Sequence, residues 1–352
     1  MILMKLLHKY ILKEIYPIFF LGNVFFVLLL LLDKLIDLAD LFFTKNVPAF
    51  LIIQTIVYYL PSFLVITIPT SAMLAVMIGF GRLSSDSEVT AMRAAGAGKK
   101  FFTTPTIIFG LTAFLLGIMM SLWLMPAGSR NAIGNLSKIA KLVSINDMKE
   151  KELYDELPGI VFYAVKKDSN AKYRKMVIID KAQHSVITAN EAEILPSGNA
   201  GLLMNLKNGR IVTLNEDGKH SKINFDTFTL NSPLIDAKDI SVNSERIMQT
   251  KDLIENFQEA PLYKFEFSKR ISMPFAAIIM SIFGMSLGIF FHRSGRSLAI
   301  PITIAVVAVY NILFFAAENF AESGRIEPFL AAWLPNILFA LIAVFFYRRA
   351  MK

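Results

Sequence analysis

The run Ala95-Gly96-Ala97-Gly98-Lys99-Lys100 carries the residue types from which backbone amides and an ammonium group cradle a phosphate. The spacing G-x-x-x-x-G-K-S/T is not met, because the first glycine would fall on Arg93 and Lys100 stands where the hydroxyl residue belongs. The run reads as a helix stop followed by a basic anchor. The four histidines, His8, His184, His220 and His292, lie on different segments with no H-E-x-x-H and no close metal-ligand spacing, so no metal site is assigned. Glu318, near the end of an apolar run, has no second intramembrane acid with which to relay protons. No catalytic constellation and no cofactor is expected, and energy for any pumping has to come from a separate protein.

What remains is a polar stretch, Arg82 to Gly96, stranded between two long apolar segments. Ser85 followed by Glu88 forms a capping box, in which each side chain accepts from the other residue's amide, and this predicts a helix over about 84–96. Gly96 and Gly98 both accept left-handed angles and predict its stop. A capped helix kept apart on one side of a bilayer is a handle for a cytoplasmic partner. Ser85, Asp86, Glu88 and Arg93 are its candidate contacts.

The apolar context is clear from composition: 352 residues, 55% hydrophobic with 30 Phe, a mean hydropathy of +0.52 and only 18% charged. The absence of Cys excludes disulfides and thiolate chemistry. The net charge of +8 sits largely beside the apolar segments, where orientation is set, which argues against nucleic acid as a partner.

Spans are expected at about 15–32, 50–80, 101–125, 271–291, 298–317 and 329–347. The second, with Pro61 and Pro69 inside, predicts a bent or partly re-entrant element. Basic residues Lys5, Lys9, Lys13, Arg82, Lys99, Lys100, Arg293, Arg296, Arg348 and Arg349 all fall on one side if both termini are cytoplasmic. At the outer end of the first span, charges at Asp33, Lys34, Asp37 and Asp40 recur amid leucines; snorkelling into headgroups accounts for them singly, and Lys34, the deepest cation, is a candidate contact for an anionic ligand. In the fourth span Ala277, Ser281, Gly284 and Gly288 repeat on one helical face; the G-x-x-x-G allows close packing, either within the chain or at a subunit interface.

Between the third and fourth spans, residues 127–267 contain no run long enough to cross a membrane. Short alternating segments at 159–165, 175–180, 184–189 and 202–206, with Asn208-Gly209 as a hairpin turn, predict an antiparallel sandwich or open jelly roll, led in by a helix at 129–143 and closed by one at 249–258. Ile178, Val186 and Leu203 are inward-facing candidates. The expected layout is therefore a six-span α-helical membrane protein: 1–126 with the handle, an inserted all-β domain at 127–267, and 268–352.

Several stretches, in this order, carry a resemblance: Tyr59-Leu60-Pro61 with Ile68-Pro69, the loop Leu83 to Gly98, the β-rich insertion, Lys269-Arg270-Ile271-Ser272-Met273-Pro274, and Trp333-Leu334-Pro335-Asn336. The chain resembles the LptF/LptG permease family of the lipopolysaccharide exporter over essentially its whole length. The resemblance implies a multi-pass protein of the bacterial inner membrane with a periplasmic β-jelly-roll. It implies partnership with an LptB-type ATPase dimer, a second LptF/LptG-type permease and LptC/LptA-type jelly-roll proteins, and lipopolysaccharide as cargo. The handle becomes a coupling helix whose acid, matching Glu88, engages the ATPase, with Arg93 in the same contact; Lys34 matches a lysine that touches the phosphorylated headgroup in LptG-type subunits. A mechanotransmitting subunit acting on an extracytoplasmic partner, or a non-transporting scaffold, would share the same topology.

Overall fold

The computed structural model describes residues 2–43, 47–146, 151–157, 160–169, 172–180, 185–197, 201–214, 220–233, 244–258, 260–291 and 299–351. His184 and the basic link 292–297 lie outside the described residues, and so do the side chains of Asp33, Asp37, Asp40 and His220. The chain forms two compact units, Met1–Lys34 with Tyr59–Ser129 and Ser244–Lys352, and Leu35–Tyr58 with Arg130–Asn243. The return segment 244–267 falls in the first of these units.

The helical unit is built from α1 (Ile2–Phe43, to Lys34), α2 (Ala49–Ser85, from Tyr59), α3 (Glu88–Ala94), α4 (Lys100–Met119), a π-helical turn (Met120–Leu124), the start of α5 (Met125–Asn146), α6 (Ser244–Ile247), α7 (Thr250–Glu255), α8 (Pro261–Phe290), α9 (Ala299–Glu322) and α10 (Pro328–Ala350). Six helices among the described residues are long and apolar enough to cross a membrane. Their starts follow local chemistry. Pro261 and Pro328 open α8 and α10 at positions whose N–H groups need no intrahelical partner, and the Glu327 carboxylate accepts from the Leu330 amide at 2.8 Å.

α2 and α8 are the central pair. Of their most apolar windows 78% and 72% is buried, against 22% to 33% for the other four spans. The two helices meet backbone to backbone, because a Cβ on Gly284 would stand 2.5 Å from the Met73 carbonyl oxygen and one on Gly288 2.6 Å from that of Met77. Gly284 and Gly288 thus serve packing within the chain. α2 runs unbroken through Pro61 and Pro69, so the re-entrant element expected there is absent. Each proline removes a single backbone bond, and burial of α2 in the bundle holds the remaining ladder.

The third span likewise continues past its expected end at Met125. Pro126 has no N–H to offer the Leu122 carbonyl, the helix widens into the π turn just before it, and the freed carbonyl accepts from the Thr250 hydroxyl at 2.9 Å.

In the second unit β1 (Leu153–Leu157), β2 (Ile160–Ser169), β3 (Lys172–Asp180), β4 (Ser185–Ser197), β5 (Gly201–Leu214) and β6 (His220–Pro233) make one six-stranded antiparallel sheet in sequential order. Among the described strands there is neither a second packed sheet nor the crossover connection that a jelly roll requires. Asn208-Gly209 is not a hairpin turn but lies in the middle of β5. Pairing skips one level across the sheet: Ala164↔Met176 and Lys166↔Arg174 flank Val165 and Lys175, Met176↔Ala189 and Arg174↔Glu191 flank Lys175 and Asn190, and Ala189↔Gly209 and Glu191↔Lys207 flank Asn190 and Asn208. Lys175 and Asn208 have φ of 51° and 48°.

This transverse crease resets the alternation, so that Ile187 and Ala189 before it and Ala192 and Ile194 after it all stay buried in one core with Phe162, Ile178, Met204 and Leu206. Of the inward candidates, Ile178 is core, Leu203 is half-buried, and Val186 faces away because its neighbour Ile187 takes the core position.

Candidate functional site

α3 is shorter than the expected 84–96. α2 continues through Ser85, whose hydroxyl donates back to the Arg82 carbonyl at 2.9 Å, and the chain turns at Asp86-Ser87 with Ser87 at a φ of 63°. The Ser85–Glu88 capping box therefore does not form. Ser87 occupies the cap position without a side-chain bond, and the Glu88 carboxylate is used elsewhere. The stop is as the glycines foretell at Gly96, where φ is 90°: Gly96 N–H donates to Arg93 and Ala97 N–H to Met92, a Schellman closure. Gly98 takes no left-handed angle.

The handle is docked rather than dangling. Val89 is buried in a cluster with Ile11, Ile15, Phe80, Phe102, Ala350 and Met351. The hydroxyl of Tyr10 on α1 donates to Glu88, 3.1 Å from Oε1 and 3.0 Å from Oε2. Arg82 pairs with Glu14 of α1 and, at 3.6 Å, with Asp86. Arg93 donates to the Ala350 carbonyl at the end of α10, at 2.9 Å, and its guanidinium lies 6.0 Å from the Phe102 ring centroid. Both ends of the chain are thereby brought to α3, while Ser85, Asp86, Ser87, Thr90 and Ala91 stay exposed on its outer side. The Glu88 and Arg93 contacts were hidden from sequence reasoning because their partners are 78 and 257 positions away.

Lys34 is half-buried at the other end of α1. Its 24-residue separation from Tyr10 corresponds to about 36 Å along the helix axis, so Lys34 and the α3 cluster are not one site but opposite ends of one rod. His8 stacks edge-on to Phe101 with centroids 6.4 Å apart, a packing role.

A second polar cluster gives the sequence no signal beyond a cation inside an apolar helix. Arg270 of α8 is fully buried, donates from Nε to Glu266 at 3.4 Å, from Nη1 to the Thr250 hydroxyl at 3.1 Å, and from Nη2 to the carbonyls of Glu245 and Met248 at 3.0 and 2.9 Å. Thr250 passes the chain of bonds on to Leu122 at the π turn. Lys269 beside it reaches Glu266 at 3.8 Å and Glu318 of α9 at 3.5 Å. One arginine thus fastens the segment returning from the sheet to two transmembrane helices.

Comparison with known proteins bears on this arrangement. The family model described as lipopolysaccharide export system permease LptF/LptG matches residues 9–349. The lipopolysaccharide export system permease protein LptF of Escherichia coli (strain K12) is 19% identical over 341 residues, 91% of this chain and 89% of its own, and the protein of that name from Shigella flexneri gives the same figures. A protein of Rickettsia prowazekii (strain Madrid E) described only as uncharacterized is 20% identical over 357 residues, 96% of this chain and 97% of its own.

Proposed function

Since the chain belongs to the LptF/LptG family of lipopolysaccharide export permeases, we propose that it draws lipopolysaccharide from the inner membrane and passes it to a periplasmic β-jelly-roll bridge, driven by a separate cytoplasmic ATPase. The observation that carries the coupling part is α3: a seven-residue helix between two spans, its exposed face formed by Thr90, Ala91, Arg93 and Ala94, its buried face fixed to α1 and α10. In this reading an LptB-type ATPase dimer grips α3 through Glu88 and Arg93, with Ser85 and Asp86 at the margin, and a second LptF/LptG-type permease completes the cavity.

The contacts of α3 with both chain ends support a cytoplasmic position for the two termini, and the basic residues Lys9, Lys13, Arg82, Lys99, Lys100, Arg348 and Arg349 that cluster in sequence near those contacts fit the same side. The sheet is then periplasmic, where LptC/LptA-type proteins extend it.

Mechanically, closure of the ATPase moves α3, and a docked helix moves the bundle with it. Glu14, Arg82 and Val89 tie α3 to α1 and α2, while α2 is locked to α8 by the glycine contacts. The narrowing cavity lifts the lipid, with Lys34 at the outer end of α1 holding its phosphorylated headgroup. Exposing acyl chains to water costs about 0.8 kcal/mol per CH₂, so the lipid needs an apolar trough to receive it, and the core face of the sheet around Ile178, Ile187 and Met204 is of that character.

The test is to tag the chain at its native locus, extract it in a polymer disc and identify co-purifying proteins and lipids by mass spectrometry. An ATPase, a second six-span permease and lipopolysaccharide are expected together. An ATPase without glycolipid would favour mechanotransmission, and recovery of the chain alone would sink the coupling argument.

A further inference from the structure

Asn208 and Gly209 crease β5 at mid-strand instead of ending it, and β2, β3 and β4 crease at the same level. Gly209 is required there, because a Cβ would collide with the Thr188 carbonyl oxygen and the Phe225 ring. At the crease a cleft of about 390 Å³ opens, lined chiefly by residues that alternate with the core ones, among them Tyr163, Lys175, Asn190, Asn208, Arg210 and Asn224.

The charge of this lining is one-sided. No Asp or Glu contributes to it among the described residues. The neighbouring cations are neutralised, Arg174 by Asp168 and Lys172 by Glu193, whereas among the described residues no carboxylate pairs with Lys175 or Arg210. Arg210 donates from Nε to Asn224 Oδ1 at 2.9 Å, which fixes the plane of its guanidinium and leaves both terminal NH₂ groups to a ligand. Three carboxamides, each able to donate and accept, and a phenol ring stand beside these cations. Val165, Met176 and Val177 add apolar surface on which the C–H face of a ring can lie, and a bare anion would leave both the amides and this surface unused.

We propose that this cleft binds an anionic saccharide, a sugar carrying phosphate or carboxylate groups: Lys175 and Arg210 take the charged group, Asn190, Asn208 and Asn224 the hydroxyls, and Tyr163 a ring face. Its source rests on the permease reading, in which the sugar is the headgroup of the exported lipid; a free sugar phosphate presents the same chemistry.

The test uses the full chain in lipid nanodiscs, titrated calorimetrically with deacylated, phosphorylated lipopolysaccharide oligosaccharide, its dephosphorylated form, glucose 1-phosphate and inorganic phosphate. Saturable binding of the phosphorylated oligosaccharide is expected, weakened about tenfold by Lys175→Gln and by Arg210→Gln, as for loss of a hydrogen bond to a charged group, and by removal of the phosphates. Tighter binding of the oligosaccharide than of glucose 1-phosphate assigns the site to the lipid headgroup, and equal binding to a free sugar phosphate. No saturable binding, unchanged binding by the folded double variant, or inorganic phosphate binding as tightly as the sugars would overturn the proposal. Acylated lipopolysaccharide that co-purifies with the chain reports on the permease reading separately: lipid retained without oligosaccharide binding removes the cleft alone, and oligosaccharide bound without co-purifying lipid removes the permease reading alone.

Discussion

The phenol of Tyr10 donates to the carboxylate of Glu88 across 78 positions of sequence, 3.1 and 3.0 Å from its two oxygens, so the acid of the short helix is held by the first transmembrane helix. The bond is exposed, and water competes for both partners. Such a contact holds Glu88 in place and still yields to a stronger partner such as an arginine or a helix N-terminus on an ATPase. Tyr10→Phe should leave the fold intact and keep or raise by a few-fold the affinity for the ATPase, measured by titrating the purified ATPase onto the chain in nanodiscs. A loss of ATPase binding would show that Tyr10 presents Glu88 instead of merely holding it.

Arg270 should matter more for stability than any other single polar residue of the helical unit. Arg270→Ala leaves Glu266 with Lys269 as its cation, strands two backbone carbonyls in a buried setting and is expected to cost about 3–5 kcal/mol. Thr250→Val removes the bond it donates to the Leu122 carbonyl and the one it accepts from Arg270 Nη1, about 1–3 kcal/mol, while Arg270 keeps its other partners. Thermal unfolding in detergent, with limited proteolysis in the segment 244–258, should rank Arg270→Ala well below Thr250→Val and the parent.

Gly284→Leu and Gly288→Leu should force α2 from α8, since even a Cβ would stand 2.5 or 2.6 Å from a backbone oxygen. Overpacking of this kind costs about 1–3 kcal/mol or more. Gly134→Ala is the matched control: nothing lies within 4 Å, and alanine favours the helix by about 0.5–1 kcal/mol. The yield of folded protein from size-exclusion chromatography should fall for the first two and hold for the third.

In the sheet, Gly209→Ala is expected to destabilise and Asn208→Gly to be neutral or mildly stabilising, because a φ of 48° suits glycine better than asparagine. Hydrogen exchange across β4 and β5 should separate the two variants.

The six spans were legible because each is a continuous apolar run and its charges sit at its ends. The handle between the second and third was legible for the same reason. Its start was not. The Ser85–Glu88 pattern is local, and it loses to an α2 that extends one turn further and to a tyrosine far away in sequence. Asn208-Gly209 misleads similarly: both residues accept positive φ, which serves a crease as well as a turn, and only the pairing of β4 and β6 on either side decides between them. Arg270 could be marked as a cation in an apolar helix, but its partners at Glu245, Met248 and Thr250 depend on how the returning segment folds back.

The most direct test of the coupling role assigned to α3 is ATP-driven release of lipopolysaccharide from vesicles holding the full complex, with the parent chain and with Glu88→Ala. The variant should fold and assemble with its companion permease yet release little or no lipid per ATP hydrolysed. Release and ATPase binding equal to the parent's would contradict the account and leave Glu88 as no more than the acceptor of the Tyr10 hydroxyl.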